Sequence, residues 1–578
     1  MKKRFVLPAL AMVGLGIYGA RRSILARLLR LPPPRNGVGV ERDIPVPMPD
    51  GVRLLSDHYY PQAPGDYPTI LIRTPYGRGR EGSLGTGYPL AELPAQRFAE
   101  RGYHVVVQGA RGCLDSEGTF SPHIHEAPDG EATVAWIVRQ PWFNGLLGTW
   151  GPSYLGYTQW ATAASAPPAL QAMVPISTSA ENFTTTHPQG AFGLETRLRW
   201  SQSMHLQNRA HPRSLGEVLR ERIAGDTEQR LQAAFDYLPL LDADIAAVGG
   251  PIPIYRAVLT HDQTDDPFWT ARDHSGSVAG VRAAAHFVGG WYDYYLRGLL
   301  RDYAAQRDAG REPYLTVGPW YHAQAGGMLT GLRAGVTWFD AHLKGDRRRL
   351  RPEPVRLYVM GAEEWRTFDV YPPPAREARY YLQAGARLSP ASPPEVSAPD
   401  GYRYDPADPT PTVGGALLAL QGAGPQDNRP LEARSDVLCY STPALERTVE
   451  IIGPVRLELF VRSTLTHTDF VGRLCDVAPD GRSTNLCDGL VRIEPGQGDV
   501  QADGSLRIEI DLWATAHRFR QGHRLRLQVS SGSHPRWSRN LGTGEPLATG
   551  VHMAVADQTI YHDEAHPSAL VLPVVSSR

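Results

Sequence analysis

The sequence predicts an α/β fold in which a doubly wound sheet is interrupted by a helical insertion and followed by an all-β domain. Three observations support this prediction. Strand-like and helix-like runs alternate between about residues 38 and 175, the strand signal fades between about residues 184 and 281, and helices nearly vanish after Gly345. Repeated alternation of strand and helix is typical of a parallel sheet, whereas a run of short alternating strands is typical of a sandwich or barrel.

The first region supplies the sheet and its helices. A continuous apolar run of four to eight residues predicts a buried strand, and apolar spacing of three to four residues predicts a helix. An Asp50-Gly51 turn between two short runs predicts an opening hairpin. The predicted elements are the hairpin strands 43–47 and 52–60, a strand at 69–73, a helix at 93–101, a strand at 103–108, a helix at 131–139, a strand ending at Trp150, a helix at 154–164 and a strand at 171–175.

The remaining pattern divides the chain further. Arg/Leu/Glu/Ala-rich stretches at 215–224 and 226–238 predict helices of an inserted lid, and strands return at 286–289 and 314–317. Alternating runs at 355–359 and 455–461 predict strands of a separate β-sandwich. The predicted domains are an N-terminal segment 1–38, a catalytic domain 39–183 plus 282–348, a helical cap 184–281 and a β-sandwich domain 349–578.

Composition excludes several classes of function. The 578 residues carry 59 Lys and Arg against 60 Asp and Glu, a formal charge of -1, so no net field favours nucleic acid. Four cysteines are too few for a disulfide scaffold, and no Cys/His cluster suggests a metal site. Cys475 and Cys487 flank a turn at 479–481 and would nearly face each other in a hairpin; we expect free buried thiols, with a bridge as the alternative.

The N-terminus resembles a signal peptide or a short membrane anchor. A basic start precedes a largely apolar run at 5–20, and Arg21-Arg22 follows it. This pattern predicts an extracytoplasmic or membrane-anchored protein. The alternative is a cytoplasmic protein with an amphipathic N-terminal helix.

The sharpest local signal for chemistry is the string GPSYLG at 151–156, between a predicted strand and a predicted helix. A nucleophilic serine in this fold occupies a tight strand-to-helix turn, which needs small neighbours. Gly151 and Gly156 fit that need, although Leu155 stands where the plain G-x-S-x-G pattern has its second glycine. Ser153 is therefore the predicted nucleophile.

A serine hydroxyl needs a histidine base, and the histidine needs a carboxylate that orients it. Asp293 follows the predicted strand 286–289, and His322 follows the predicted strand 314–317. The chain order serine, aspartate, histidine is the one used by sheets of this kind. Ser153, Asp293 and His322 are the predicted catalytic triad.

Taken together, these strings resemble the cocaine esterase / X-Pro dipeptidyl peptidase (CocE/NonD) family of serine hydrolases. The resemblance runs from about residue 38 to the end of the chain. The matching strings are RTPY at 73–76, ARG at 110–112, SEG at 116–118, GPSYLG at 151–156, GWYD at 290–293, GPWYH at 318–322, WFD at 338–340, residues 470–488 and PRWSRN at 535–540.

The resemblance implies an α/β-hydrolase core with an inserted helical cap and a C-terminal jelly-roll domain. It also implies an oxyanion hole formed by the Tyr76 hydroxyl and the backbone N–H of Tyr154, and an acyl pocket lined by Tyr295. No cofactor and no metal are expected. The implied substrate is a small-molecule ester or a short peptide.

Three functions remain open at this point. An ester hydrolase, with amides as further substrates, is the first prediction. An X-Pro dipeptidyl aminopeptidase is the alternative, but Asp293 is followed by Tyr294, Tyr295 and Leu296, so the carboxylates that would bind a substrate ammonium group are missing there. Acids of the cap, for instance Asp265 or Asp266, are the residues that could replace them. A non-catalytic binding protein is the remote alternative.

Overall fold

The computed structural model describes residues 21–79, 91–208 and 226–576, and the chain divides into two compact units. Unit 1 comprises residues 1–176, 281–286 and 328–350, and unit 2 comprises residues 177–280, 287–327 and 351–578. The apolar run at 5–20 and the predicted helix at 215–224 lie outside the described residues. Within the described ranges, no helix is both long and apolar enough to span a membrane.

The described part of unit 1 contains six complete strands, in the order β1-β2-β4-β3-β5-β6. The first two form the predicted antiparallel hairpin, and β2 pairs antiparallel with β4. The remaining pairs, β3 with β4, β3 with β5 and β5 with β6, are parallel, as the alternation of strands and helices predicts. The strands are β1 (Val38–Pro47), β2 (Arg53–Pro61), β3 (Thr69–Thr74), β4 (His104–Gly109), β5 (Leu147–Pro152) and β6 (Leu170–Ile176).

Helices supply the apolar cover of unit 1. Phe98 stands edge-on to both Trp150 and Phe339, with ring centroids 5.9 and 5.6 Å away. The Trp150 indole donates to the Gly331 carbonyl at 3.1 Å, which satisfies its N–H inside this core. The helices are α1 (Glu92–Ala99), α2 (Glu126–Val138), α3 (Tyr154–Ala163) and, from Met328 onward, α11 (Ala325–Leu343).

Unit 2 contains a second group of strands with α/β character. The predicted strand 355–359 pairs in parallel with β8 (Tyr314–Tyr321), so it lies in this group of strands and not in the twelve-stranded sheet system. A short alternating run fits either environment, and only pairing with a distant strand decides between them. The elements are β7 (Ala284–Tyr292, with residues 287–292 in this unit), α10 (Leu296–Asp308), β8 (Tyr314–Tyr321), β9 (Val355–Val359) and β10 (Glu364–Phe368).

The inserted segment of unit 2 is helical where it is described. Its helices share an apolar core that includes Phe192, Leu231, Tyr255 and Trp269. Asp266 caps a short helix by accepting the N–H of Phe268, so it has a structural task. The helices are α4 (Phe183–Thr186), α5 (Leu194–Gln207), α6 (Asp226–Phe235), α7 (Ala243–Val248), α8 (Pro253–Thr260) and α9 (Pro267–Thr270), with 3₁₀ turns at Pro188–Gly190, Leu240–Asp242 and Ser275–Gly280.

The C-terminal part of unit 2 is a twelve-stranded sheet system with an aliphatic core. The strands around residues 479–481 form the predicted hairpin, and Cys475 and Cys487 are buried thiols that form no disulfide. The elements are β11 (Arg376–Gln383), β12 (Arg387–Ser389), β13 (Asp400–Tyr404), α12 (Arg429–Glu432), β14 (Leu438–Ser441), β15 (Val449–Ser463), β16 (Thr468–Val477), β17 (Ser483–Ile493), β18 (Asp499–Val500), β19 (Leu506–Phe519), β20 (Arg524–Ser530), β21 (Ala556–Tyr561) and β22 (Ala569–Val574).

Candidate active site

Ser153 lies at the turn between β5 and α3, where the motif predicts the nucleophile. Its backbone has φ 55° and ψ -122°, a conformation that a residue with a side chain rarely adopts. Such strain costs about 1–3 kcal/mol and persists where the surrounding structure enforces it. The enforcing bonds are visible: the Ser153 N–H donates to the Ile176 carbonyl at 2.8 Å, and the Ser153 carbonyl accepts the N–H of Tyr157 at 3.0 Å.

Gly151 explains why the turn tolerates Leu155 in place of the expected glycine. A Cβ atom built on Gly151 would lie 2.3 Å from the Cβ of Leu155, far inside van der Waals contact. The strand and the helix therefore approach each other over Gly151, with the leucine filling the space that the missing side chain leaves. The need for a small residue is met on the strand side of Ser153.

The side chain of Tyr154 is occupied in unit 1. Its hydroxyl donates to the Glu126 carboxylate and accepts the N–H of His123 at 3.1 Å. Burial raises the pKa of Glu126 and also raises the pKa of Tyr154 well above its usual range, an effect that the neighbouring carboxylate reinforces. Because the hydroxyl is engaged in these hydrogen bonds, the backbone N–H is the group of Tyr154 that is left to donate to an oxyanion.

Tyr76 follows β3 and lies beside Tyr154 in the same unit. The two rings are edge-on, with centroids 6.5 Å apart, and the Tyr76 N–H donates to the Thr74 hydroxyl at 3.1 Å. Tyr76 is half-buried, whereas Tyr154 is buried. The structure therefore brings the two predicted oxyanion-hole residues together.

Asp293 and His322 form a buried pair in unit 2. Asp293 directly follows β7 and His322 directly follows β8, and the His322 Nδ1 lies 3.2 and 3.1 Å from the two carboxylate oxygens. The side chains are 1% and 5% exposed. This contact assigns the proton to Nδ1 and leaves Nε2 as the basic nitrogen.

Further hydrogen bonds hold Asp293 as a carboxylate. It accepts the N–H of Tyr295 at 2.9 Å and the hydroxyl of Ser177. Burial acts to raise the pKa of Asp293, but His322 and these two donors outweigh burial and hold that pKa below its usual range. Ser177 follows β6 with a φ of 45°, another strained backbone position next to the candidate site.

Two tyrosines lie against the His322 imidazole. The ring centroids of Tyr294 and Tyr295 are 4.4 and 5.7 Å from that of His322. The Tyr295 hydroxyl donates to the Asn182 side-chain oxygen at 3.3 Å, and burial raises its pKa. The predicted acyl-pocket residue is therefore a direct neighbour of the acid–base pair.

The sequence prediction missed Ser177, which contacts Asp293, and two polar residues at the Tyr295 hydroxyl, Asn182 and Arg197. Ser177 comes just after the predicted strand 171–175, and the tendency of functional side chains to follow parallel strands is a signal that could have found it. Asn182 and Arg197 follow no strand directly, and sequence spacing carries no signal for them. No group of three or more potential metal ligands occurs among the described residues.

The arrangement has the parts of covalent acyl transfer. In unit 1 a hydroxyl is presented on a strained turn, and in unit 2 a carboxylate orients an imidazole. Arg111, by contrast, forms ion pairs with Asp50 in a loop and Asp129 in helix α2, each at 2.6 Å, and so has a structural role.

Comparisons with known proteins show which family this chain belongs to. Residues 50–324 match the X-Pro dipeptidyl-peptidase (S15 family), and residues 350–571 match the X-Pro dipeptidyl-peptidase C-terminal non-catalytic domain. The chain is 35% identical to cocaine esterase of Rhodococcus sp. (strain MB1 Bresler), covering 93% of this chain and 98% of that protein. It is 25% identical to a putative serine esterase of Mycobacterium bovis, covering 92% and 94%.

Solved structures confirm the predicted fold class. An aminopeptidase from the marine sediment archaeon Thaumarchaeota archaeon is similar with a TM-score of 0.79 at 22% identity, covering 93% of this chain and 96% of that one. An α-amino acid ester hydrolase is similar with a TM-score of 0.78 at 24% identity, covering 93% and 97%. The chain is an enzyme that belongs to the cocaine esterase / X-Pro dipeptidyl peptidase (CocE/NonD) family of serine hydrolases.

Proposed function

We propose that this protein hydrolyses carboxylic esters, through an acyl-enzyme on Ser153 with His322 as the base and Asp293 as its orienting acid. The observation that carries the proposal is the buried contact between the His322 Nδ1 and the Asp293 carboxylate at 3.1 Å. A histidine held in this way keeps Nε2 available as an acceptor, which is the state that a serine nucleophile requires.

The proposed reaction begins when the His322 Nε2 accepts the proton of the Ser153 hydroxyl as Oγ bonds to the ester carbon. The resulting oxyanion is stabilised by the Tyr76 hydroxyl and the Tyr154 backbone N–H. The tetrahedral intermediate collapses, the protonated His322 gives its proton to the leaving alkoxide, and the alcohol departs. Water then attacks the acyl-enzyme with the same base, releasing the acid and restoring Ser153.

The choice of ester rests on the chemistry next to the acid–base pair and on the relatives. The residues after Asp293 are aromatic and aliphatic, so no carboxylate stands there to bind a substrate ammonium group. Of the two cap acids that were the alternative, Asp266 is a helix cap and Asp265 is exposed. Relatives of comparable length are named as esterases.

The X-Pro dipeptidyl aminopeptidase is the second candidate, because residues 50–324 match a family of that description. A peptidase of this kind needs the free amino terminus of its substrate. Activity on an Xaa-Pro chromogenic dipeptide that disappears on N-acetylation would favour it. Cleavage of simple esters with no activity on the dipeptide favours the esterase.

The decisive test uses the purified protein with 4-nitrophenyl esters of short acids and with a fluorophosphonate label. We expect release of 4-nitrophenol and stoichiometric labelling at Ser153, both abolished in the Ser153→Ala variant. Labelling of the alanine variant to the same extent as the wild type would contradict the proposal.

We further propose that the N-terminal segment directs the protein out of the cytoplasm or anchors it to a membrane. The support is the basic start, the apolar run at 5–20 and the Arg21-Arg22 pair. Fractionation of cells that produce the full chain should recover it outside the cytoplasm, and deletion of residues 1–20 should return it to the cytoplasmic fraction.

A further inference from the structure

Arg197 on the cap helix α5 is a buried arginine without a carboxylate partner in the described structure. The residue is 6% exposed, and its Nε and Nη2 atoms have no hydrogen-bond partner among residues 21–79, 91–208 and 226–576. Its guanidinium interacts with the neutral Tyr295 hydroxyl. A buried charge is normally paired, because desolvation without a partner is strongly unfavourable.

The acids nearest to Arg197 along the chain and around Tyr295 already have partners. Glu195 accepts the backbone N–H groups of Leu418 and Ala419 at 3.0 Å each and pairs with Arg199 at 2.6 Å. Glu181 pairs with Arg301 at 2.6 Å. Neither acid is therefore left over to pair with the Arg197 guanidinium.

Two other buried side chains close to Arg197 and Tyr295 carry polar atoms without a hydrogen-bond partner among the described residues. Asn182 uses its oxygen for the Tyr295 hydroxyl, and its Nδ2 has no acceptor within the described ranges. His187 is 4% exposed, and neither ring nitrogen has a partner there. Burial, with Arg197 and Arg492 adding to it, lowers the pKa of His187 to about 3, so this imidazole is neutral and offers Arg197 no negative charge.

Asn182, His187 and Arg197 form what we call the polar array, and Tyr295 connects it to the candidate active site. The Tyr295 N–H donates to Asp293 at 2.9 Å, and the Tyr295 ring lies 5.7 Å from the His322 ring. Unpaired buried donors at such a place indicate a ligand that supplies acceptors, because native structures rarely leave these groups unsatisfied.

We propose that the polar array binds a carboxylate carried by the acyl group of the substrate, so that the preferred substrates are monoesters of dicarboxylic acids. This inference rests on the proposed ester hydrolysis and names its substrate class. Arg197 supplies charge-assisted hydrogen bonds to the carboxylate, and the Asn182 Nδ2 supplies another. A neutral acyl chain leaves these donors buried and unpaired, which is the condition under which a polar site discriminates most strongly.

The test compares the mono-4-nitrophenyl ester of adipic acid with 4-nitrophenyl hexanoate, which has the same acyl carbon number. We expect kcat/KM of the wild type to be higher on the acidic ester. Arg197→Leu should lower kcat/KM on that ester about 100-fold and change kcat/KM on the neutral ester by less than about threefold. Arg230→Gln, which removes an exposed arginine from helix α6, is the matched control and should retain the preference.

Two further measurements separate binding from folding and from catalysis. Arg197→Leu removes an unpaired buried charge, so its melting temperature should equal or exceed that of the wild type, whereas a structural arginine would lower it on removal. Calorimetric titration with adipate should show binding to the wild type and none to Arg197→Leu, whether or not any ester is cleaved.

The outcomes distinguish this inference from the proposed function. Hydrolysis of the hexanoate ester without preference for the adipate ester, or an equal loss on both esters in Arg197→Leu, overturns the polar-array proposal and leaves the esterase intact. Adipate binding that depends on Arg197 in a protein that cleaves no ester supports the array and overturns the esterase. Absence of adipate binding to the wild type overturns the array in every case.

Discussion

In unit 1 Ser153 is held by backbone geometry, whereas in unit 2 Asp293 and His322 are held by buried hydrogen bonds. The serine adopts φ 55° and ψ -122° at a point where Gly151 lets strand and helix approach closely. The acid–base pair depends on three contacts to one carboxylate, from His322, Ser177 and the Tyr295 N–H. We therefore expect activity to depend mainly on side-chain volume around Ser153, and mainly on side-chain charge around Asp293 and His322.

The largest expected effect comes from removing the charge of Asp293 while keeping its shape. Asp293→Asn should lower kcat about 10⁴-fold, because the amide no longer enforces the productive tautomer of His322. Circular dichroism should show an unchanged fold, and stopped-flow or steady-state ester assays measure the rate. An activity within tenfold of the wild type would exclude Asp293 as the orienting acid.

The Asp293→Asn variant also tests how the stabilisation by the Asp293 carboxylate depends on pH. The folded-state pKa of Asp293 is depressed, so its stabilising contribution is fully present above the unfolded-state pKa of about 4 and is lost as the pH falls through the lower folded-state value. The difference in urea unfolding free energy between wild type and Asp293→Asn should shrink below about pH 4. A difference that grows on acidification would contradict the assigned direction.

The second effect concerns the two tyrosines of unit 1. Tyr76→Phe should lower kcat about 10²- to 10³-fold by removing one oxyanion donor. Tyr154→Phe is the control: its hydroxyl serves Glu126, so kcat should change only a few fold, while stability falls by about 1–3 kcal/mol because Glu126 loses its donor. Equal losses of kcat in both variants would refute the assignment of a backbone role to Tyr154.

The third effect tests the close approach at Gly151. Gly151→Ala places a methyl group where only 2.3 Å separates it from Leu155, so we expect a loss of about 2–3 kcal/mol in unfolding free energy and lower kcat from a displaced Ser153. Gly276→Ala, where nothing lies within 4 Å, is the control and should change neither quantity. Thermal unfolding and ester assays on both variants decide the point.

The smallest expected effect measures the strain at Ser153. Ser153→Gly and Ser153→Ala both lack the nucleophile, but only glycine adopts a positive φ without penalty. The glycine variant should therefore be more stable than the alanine variant by about 1 kcal/mol. Equal melting temperatures would show that the backbone at this turn stores no strain.

The sequence patterns were most informative where interactions between residues close together in the chain determine the structure. The strand at 69–73, the helix from Tyr154 and the strand at 314–317 are present in the structure with bounds that differ from the predicted ones by few residues. The helix predicted at 131–139 starts at Glu126 instead, five residues earlier. Boundaries shift in this way because helix ends depend on capping and tertiary contacts as well as on apolar spacing.

Pairing between distant segments was less predictable. The run 355–359 alternates like a sandwich strand, yet it pairs in parallel with β8. Its apolar side chains satisfy both arrangements equally, and the choice depends on a partner about 40 residues earlier in the chain. The domain limits and the complete triad therefore stay predictions. Activity measurements on variants are the test of the triad.

Local spacing alone placed a serine on a strand-to-helix turn, and an aspartate and a histidine at the ends of two later strands, because those relations are encoded within a few residues of each motif. Tertiary packing alone determined that Ser177 donates to Asp293, that the Tyr154 hydroxyl serves Glu126, and that Arg197 is buried without a carboxylate among the described residues. Such contacts join residues far apart in the chain, and burial sets their energies, so no local pattern records them.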